Sequence, residues 1–253
     1  MTPKQQAERT LIVGDIHGHL TALDTVLKNA AYNPQKDRLI CLGDYIDGWE
    51  QSFQVVERLI EYQEQSPFKN IYLMGNHDKW MCDFLEADLD NWRHERIMTE
   101  KHRYWMLNGG YATYQQYLAQ SDEAIYQQKQ RFFDQLELYF LEDNKLFVHA
   151  GFDKGTGFKN TLKYNPKDLY WSRSLAKKAM NWYQAEQAGH VIDTKKKQIE
   201  DFDKIYIGHS PTSKYGLYHP VQVGNVINLD QGCKHTGTLS LWIDETDTYI
   251  QCL

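Results

Sequence analysis

Short apolar runs that stop at a small polar cluster recur five times along the chain. With the polar residue that ends each run, they are Leu11 to Asp15, Leu39 to Asp44, Ile71 to Asn76, Leu146 to His149 and Ile205 to His209. Runs this short, and this rich in Ile, Leu and Val, predict strands that are buried on both faces. Glycine precedes the polar residue in four of the five, and it allows the backbone to turn where the strand leaves the sheet.

Helical spacing of apolar residues separates the first three runs. These residues are Leu20, Leu23, Leu27 and Ala30 in the first interval, and Phe53, Val56 and Ile60 in the second. Strands that alternate with helices predict a parallel βαβαβ unit and hence an α/β fold. In such a sheet the carboxyl ends of neighbouring strands converge on one crevice. The polar ends of the runs are therefore expected to meet there.

The rest of the chain changes character twice, although no linker divides it, so we expect a single domain over 1–253. A mainly helical insertion is predicted at about 78–141, where Trp80, Trp92 and Trp105 stand in a charged background. A further helix is predicted near Ser174 to Gln187, and the lysines at 195–197 are expected in a solvated loop. Alternation in the tail predicts antiparallel strands that could complete a second sheet, namely Val223–Leu229, Thr238–Ile243 and Thr248–Gln251.

Composition narrows the classes of partner. The 253 residues carry a net charge of -6, with 34 acidic against 28 Lys and Arg, which is the wrong sign for unaided binding to nucleic acid or anionic lipid. No apolar stretch approaches the ~18 residues of a membrane span, and the first residues show no apolar signal region. The four cysteines are scattered without a C-x-x-C pair. We therefore expect a cytoplasmic protein with neither nucleic-acid nor membrane partners.

The polar residues at the strand ends form a candidate metal-binding set: Asp15, His17, Asp44, Asn76, His149 and His209. Each alone could be a turn, a helix cap or a buried histidine. Together they supply two carboxylates, one amide oxygen and three imidazoles without a thiolate, which favours borderline divalent ions such as Mn, Fe or Zn. Six donors are too many for one ion that keeps a position open for water. They suit two ions if one carboxylate bridges them, and such a pair is suited to displacement at phosphorus.

Five ordered motifs resemble those of the calcineurin-like metallophosphoesterases. They are Gly14-Asp-x-His-Gly18, Gly43-Asp-x-x-Asp47, Gly75-Asn-His-Asp78, Val148-His-Ala-Gly151 and Gly208-His-Ser-Pro211, with further agreement at Trp105-x-x-Asn108-Gly-Gly110, Trp171-Ser-Arg173 and Leu229-Asp-Gln-Gly232. The likeness is greatest to the bacterial and phage phosphoprotein phosphatase branch, which includes symmetrical diadenosine tetraphosphate hydrolases. It implies a four-layer αββα sandwich with two metal ions at one edge.

The resemblance also implies a role for each site residue. Asp15 and His17 would bind the first metal, Asp44 would bridge, and Asn76, His149 and His209 would bind the second. A bridging hydroxide would attack phosphorus, while His77, held by Asp47, would protonate the leaving oxygen. Arg173 would bind the phosphate oxygens, for which a planar guanidinium is well suited.

The second motif departs from the family pattern, which usually ends Asp-Arg-Gly, because here it reads Asp47-Gly48-Trp49. The missing arginine would have been one of two guanidinium groups on the phosphate. Trp49 could offer an aromatic face to the substrate or simply pack at a helix start. Asn108 could contact substrate or end a helix. Lys79 or a basic residue of 93–96 could assist Arg173.

The leading interpretation is a metal-dependent phosphomonoesterase of the serine/threonine phosphatase type acting on a phosphorylated substrate. Hydrolysis of a dinucleoside polyphosphate or another phosphodiester is the alternative, because the same nucleophile attacks either. A non-catalytic phosphate-binding protein is a third hypothesis, motivated by the missing arginine. Retention of all six presumed ligands and of His77 weighs against it.

Overall fold

The computed structural model describes residues 6–86, 100–200 and 202–252. The strands are β1 Arg9–Val13, β2 Asp37–Cys41, β3 Ile71–Tyr72, β4 Tyr139–Glu142, β5 Lys145–Val148, β6 Lys204–Ile207, β7 Val221–Val223, β8 Val226–Asn228, β9 Leu239–Ile243 and β10 Thr248–Cys252. The helices are α1 Leu20–Asn29, α2 Ser52–Gln65, α3 Asn76–Leu85, α4 Glu100–Trp105, α5 Tyr111–Leu118, α6 Asp122–Arg131, α7 Phe158–Tyr164, α8 Asp168–Trp171, α9 Ser174–Gln187 and α10 Cys233–Thr236. A π-helical turn, Met106–Gly110, joins α4 to α5.

The strands form two mixed sheets of five. The first has the order β10-β9-β1-β2-β3 and the second the order β4-β5-β6-β8-β7. Strands β1, β2 and β3 are parallel, and α1 and α2 connect them, so the predicted βαβαβ unit is confirmed. All five apolar runs lie in strands, three in the first sheet and two in the second.

The described residues form three apolar cores, which explain why the strand sequences are apolar on both faces. In β1, Leu11 and Val13 pack against the helices of the first sheet, whereas Ile12 packs against the second sheet. Successive side chains of a strand point to opposite faces, so a strand between two cores must be apolar throughout. Phe147 and Tyr206 face Ile12 across the inter-sheet core, and their rings are stacked with centroids 4.9 Å apart. With helices packed on the outer face of each sheet, the predicted αββα sandwich is confirmed.

The tail strands differ from expectation in where they pair. Gly224, with φ +60°, and Asn225 divide the predicted strand Val223–Leu229 into the hairpin β7–β8, and β8 runs parallel to β6. Strands β9 and β10 are antiparallel as predicted, but β9 pairs with β1 and extends the first sheet. The alternating pattern of these segments indicates that each is a strand. It does not indicate which strand each one pairs with, because pairing depends on contacts with distant parts of the chain.

The segment predicted as a helical insertion carries α3 through α6 in its described part, and β4 begins at Tyr139. Trp92 and the basic residues of 93–96 lie outside the described residues. The lysines at 195–197 form a 3₁₀ turn in which Lys197 pairs with Glu186. None of the helices in the described part of the chain combines the length and apolar character that a membrane crossing requires.

Candidate metal centre and active site

The polar ends of strands from both sheets meet at one buried cluster. Asp44 lies at its centre and belongs to two groups of side chains that could each hold a metal ion. The first group is His17, Asp44 and His77, and the second is Asp44, His149 and His209. Within each group the ligand atoms lie within 4.8 Å of one another, and every member is buried. The geometry therefore offers two neighbouring cation positions that share one carboxylate.

Asn76 and Asp15 complete this cluster in different ways. The Asn76 Oδ1 atom lies 3.4 Å from His149 Nε2, so the amide oxygen faces the second group. Asp15 lies beside the groups, because its carboxylate accepts the backbone N–H of His209 at 3.0 Å. His77, predicted from the resemblance as a proton donor, belongs to the first group, and Asp15 does not.

Three imidazole rings are oriented by backbone carbonyl groups. His149 Nδ1 lies 2.8 Å from Leu42 O, His17 Nδ1 lies 3.0 Å from Asp47 O, and His209 Nε2 lies 3.1 Å from Trp171 O. A carbonyl oxygen can only accept, so the nitrogen that faces it carries the proton. The other nitrogen of each ring faces the cluster, where it can ligate a cation once it is unprotonated.

Glycines allow the strand ends to approach this closely. A Cβ atom on Gly75 would lie 2.1 Å from Asp44 Oδ1, and one on Gly208 would lie 2.1 Å from Asp15 Oδ1. At Gly43 the backbone also has φ +107°, and a Cβ would lie 2.8 Å from His149 Nδ1. The turn predicted from sequence therefore explains the glycine at position 43. At positions 75 and 208 glycine is needed because a carboxylate oxygen lies where a Cβ atom would be.

The electrostatics of the cluster call for bound cations. Burial lowers the pKa of His17 to about 3 despite the nearby Asp44 carboxylate, so this ring is neutral and able to ligate. Burial also lowers the pKa of His149, but Asp44 and then Asp15 outweigh it and raise the value to about 10. Burial, with Asp230 second, raises the pKa of Asp15 well above its usual range. Buried carboxyl groups this close together are unfavourable unless positive charge compensates them, so the donor set fits divalent ions.

The structure brings together His77 and Asp47, the two residues that the resemblance pairs. His77 Nδ1 lies 2.6 Å from Asp47 Oδ2, and the Asp47 carboxylate is wholly buried. Trp105 Nε1 donates to the same oxygen at 2.7 Å, and Thr113 Oγ1 donates to the other at 2.6 Å. The ring of His77 is therefore held with Nε2 directed away from Asp47, and its centroid is 4.9 Å from that of His17.

The predicted substrate contacts lie at the rim of the cluster. Arg173 is exposed, and its Nη1 donates to His209 O at 2.5 Å and to Ser210 Oγ at 3.3 Å. Among the described residues it has no salt-bridge partner. Trp49 is 38% exposed; its Nε1 donates to Cys233 O, and its ring lies against His19. Asn108 lies at the kink between α4 and α5, where its Nδ2 donates to Tyr104 O. Trp49 thus packs while leaving part of its ring open.

Sequence reasoning gave no role to two buried carboxyl groups that belong to the quoted motifs. Asp78 accepts the backbone N–H groups of Asp44, Tyr45 and Gly75, so it joins the ends of β2 and β3. Asp230 follows β8 and accepts the N–H of Gly232 at 2.7 Å. Their place in ordered motifs was the available signal, but what each contacts depends on chain segments far away in sequence.

Comparison with known proteins identifies the family. The model of the calcineurin-like phosphoesterases matches residues 8–213. The chain belongs to this family. Its members are metal-dependent phosphoester hydrolases that use two metal ions, in agreement with the two groups around Asp44.

Individual relatives are distant and differ in their named substrates. Serine/threonine-protein phosphatase 1 of Salmonella typhimurium is 24% identical over 91% of this chain and 89% of its own length. The asymmetrical bis(5'-nucleosyl)-tetraphosphatase PrpE of Anoxybacillus flavithermus is 26% identical over 90% of this chain and 87% of its own. The crystal structure of a candidate diadenosine tetraphosphatase matches with a TM-score of 0.60 and 16% identity, covering 98% of this chain and 95% of that one. The structural likeness supports the shared fold.

Proposed function

We propose that this phosphoesterase hydrolyses phosphomonoesters, as a serine/threonine protein phosphatase does, with two divalent metal ions. The observation that carries the proposal is the His77–Asp47 pair, held beside two cation positions that share Asp44. A phosphomonoester needs both parts, since charge on the phosphoryl group must be neutralised and the leaving oxygen must receive a proton.

In this proposal the chain's own residues have separate tasks. Asp15, His17, Asp44, Asn76, His149 and His209 hold the ions, for which Mn, Fe and Zn are the best candidates given the mixed oxygen and nitrogen donors. When bound, the ions supply an ionised water as nucleophile and polarise the phosphoryl oxygens. His77 donates the proton to the leaving oxygen from Nε2, Asp47 orients its ring, and Arg173 binds the non-bridging oxygens from the rim. The named activity of the Salmonella relative supports a phosphoprotein substrate.

An aromatic cluster favours a second candidate, hydrolysis of dinucleoside polyphosphates. Trp80 contacts Tyr104 and Trp171 with ring centroids 5.5 Å and 5.2 Å away, and it also contacts His77 at 4.9 Å. Tyr104 and Trp171 are partly exposed beside the site, where their faces could stack on a nucleobase. The activity named for PrpE supports this candidate.

A substrate and metal screen tests both candidates. Purified protein freed of metal is assayed with p-nitrophenyl phosphate, serine and threonine phosphopeptides and diadenosine tetraphosphate, each with Mn, Fe, Zn, Ni or Mg added. We expect metal-dependent turnover, faster on the phosphopeptides than on the dinucleotide, and loss of activity to background in Asp44→Asn. Preference for the dinucleotide would instead establish the second candidate. Failure to turn over any of them, with two metal ions bound, would indicate the non-catalytic phosphate-binding protein.

The proposal includes a cytoplasmic location. All four cysteines are free thiols, and Cys41, Cys233 and Cys252 are buried. Unpaired thiols of this kind are typical of a reducing compartment.

A further inference from the structure

The backbone at Gly48, where the family pattern has arginine, has a conformation that would be strained for a residue with a side chain. Gly48 has φ +117°, a conformation that L residues rarely adopt. A Cβ atom there would lie 3.0 Å from Lys234 Cγ and 3.3 Å from His17 O. The space over this glycine is therefore already occupied, and its occupant is the stem of a lysine that lies 186 residues later in the chain.

Lys234 extends from α10 across Gly48 towards the kink between α4 and α5. Its Nζ donates to Asn108 O at 2.6 Å and lies 3.1 Å from the position of a Cβ on Gly109. In the part of the chain that the structure describes, Lys234 forms no ion pair with an acidic side chain. An ammonium group has three N–H donors, so the bond to Asn108 leaves two of them for a ligand.

The charge of Lys234 acts on the metal-binding cluster from one side. Burial lowers the pKa of Lys234, and the carboxylates of Asp47 and Asp44 oppose that effect, which places the ammonium within their electrostatic reach. The Cβ position on Gly48 lies 3.0 Å from Lys234 Cγ and 3.5 Å from His17 Cβ, so the lysine stem passes beside His17. Arg173 Nη1 donates to His209 O. One cation thus stands beside each of the two groups that share Asp44.

We propose that Lys234 binds a non-bridging oxygen of the substrate's phosphoryl group, opposite Arg173, in place of the arginine that Gly48 lacks. This inference rests on the proposed phosphoesterase function. Lys234 supplies the second positive group from another part of the fold. Glycine at position 48 favours this arrangement, because a side chain there would strain the backbone and press against the lysine stem.

Neither alternative from the sequence stands in the same position. The Nζ of Lys79 is bound to the Asp83 carboxylate one turn further along α3, and the basic residues of 93–96 lie outside the described residues. Lys79→Met is therefore a matched control, since it removes the same positive charge from a lysine close to the site that is already paired.

The experiment compares Lys234→Met, Lys234→Arg and Lys79→Met with the wild type, all loaded with Mn. It measures kcat/KM for p-nitrophenyl phosphate and for bis(p-nitrophenyl) phosphate, inhibition by inorganic phosphate, bound Mn per chain and melting temperature. We expect Lys234→Met to lose about 10- to 100-fold in kcat/KM on the dianionic monoester and to weaken phosphate inhibition by a similar factor. The kcat/KM of Lys234→Met on the monoanionic diester should fall much less. Lys234→Arg should recover most of the activity lost on the monoester, and the amount of bound Mn should be unchanged in all variants.

Other outcomes overturn the proposal. Equal losses on monoester and diester with unchanged phosphate inhibition would show that Lys234 only supports the Asn108 turn. Kinetics within about threefold of wild type, or the same loss in Lys79→Met, would remove its specific role. Should the wild type bind Mn and hydrolyse neither ester, the proposed function fails by itself. The role of Lys234 is then tested by measuring the affinity of the Mn-loaded protein for inorganic phosphate. Equal affinity in the wild type and Lys234→Met would reject that role.

Discussion

The assignment of His77 as proton donor gives the most decisive prediction, because the structure permits a competing role. His77 lies in one of the groups that could hold a metal, so it could ligate an ion instead. If His77 is the proton donor, the His77→Asn variant should have a kcat that is lower by about 10²- to 10⁴-fold and should still bind two metal ions. If His77 is a metal ligand, the same variant should bind one ion fewer.

The Asp47→Asn variant separates the charge of Asp47 from its geometry. His77 and Trp105 both bond to Oδ2, which an amide oxygen can replace, while Thr113 at Oδ1 would receive the new N–H₂ group. Thr113 Oγ1 lies 2.9 Å from Ser52 Oγ and can turn its proton there, so it can accept from the amide. The substitution therefore removes charge and keeps every contact. A charge-assisted hydrogen bond is roughly twice as strong as a neutral one, so we expect a loss of about 5- to 30-fold, smaller than for His77→Asn.

The assay is a series of aryl and alkyl phosphates whose leaving groups differ in pKa. Loss of a proton donor slows poor leaving groups most, so both variants should show a steeper dependence of log kcat/KM on leaving-group pKa, with His77→Asn the steeper. His190→Asn, at an exposed histidine beyond α9, is the matched control and should behave as wild type. An unchanged slope, or one metal ion lost per chain in His77→Asn, would refute the proton-donor role.

Three further predictions concern the cluster and the stability of the fold. Gly75→Ala should weaken Mn binding in a calorimetric titration, because its Cβ would lie 2.1 Å from Asp44 Oδ1. Asp244→Ala should lower the free energy of unfolding by about 2–3 kcal/mol and the melting temperature by about 5–10 °C, since its carboxylate joins Lys145 and Tyr206. Burial raises the pKa of Asp244, but its bonds to Lys145 and Tyr206 hold the pKa below its ordinary value. The wild type should therefore exceed Asp244→Ala in free energy of unfolding by the full amount above about pH 4, and urea titrations at more acidic pH should show this difference disappear. Removal of metal with a chelator should lower the melting temperature and added Mn should restore it, because the buried carboxyl groups lose their compensating charge.

The sequence was sufficient to predict the strands and the gathering of the strand-end side chains, because both depend on local patterns. Apolar runs such as Leu11 to Val13 identify strands between two cores, and the residue after each run is placed by the end of the strand. Parallel pairing of β1 with β2 then brings Asp15 and Asp44 to the same edge. Long-range partners were beyond this reasoning: the pairing of β9 with β1 and the three backbone bonds of Asp78 both join distant segments. Lys234 left no local trace, since a single lysine after Gly-Cys has no pattern of its own.

The site depends on how closely the two sheets approach, which is a property of neither sheet alone. His149 leaves the second sheet and bonds to Leu42 O beside the first, while Asp15 leaves the first sheet and accepts from His209 beside the second. Gly14 permits a further crossing, because its Cβ would lie 2.1 Å from Leu229 O. A closely packed interior resists small shifts, so the apolar core between the sheets sets the spacing of the ligands that those crossings join. The two candidate cation positions around Asp44 are therefore built by sheet packing, and the strand-end side chains can serve as ligands only because the sandwich brings both sheets to the same edge.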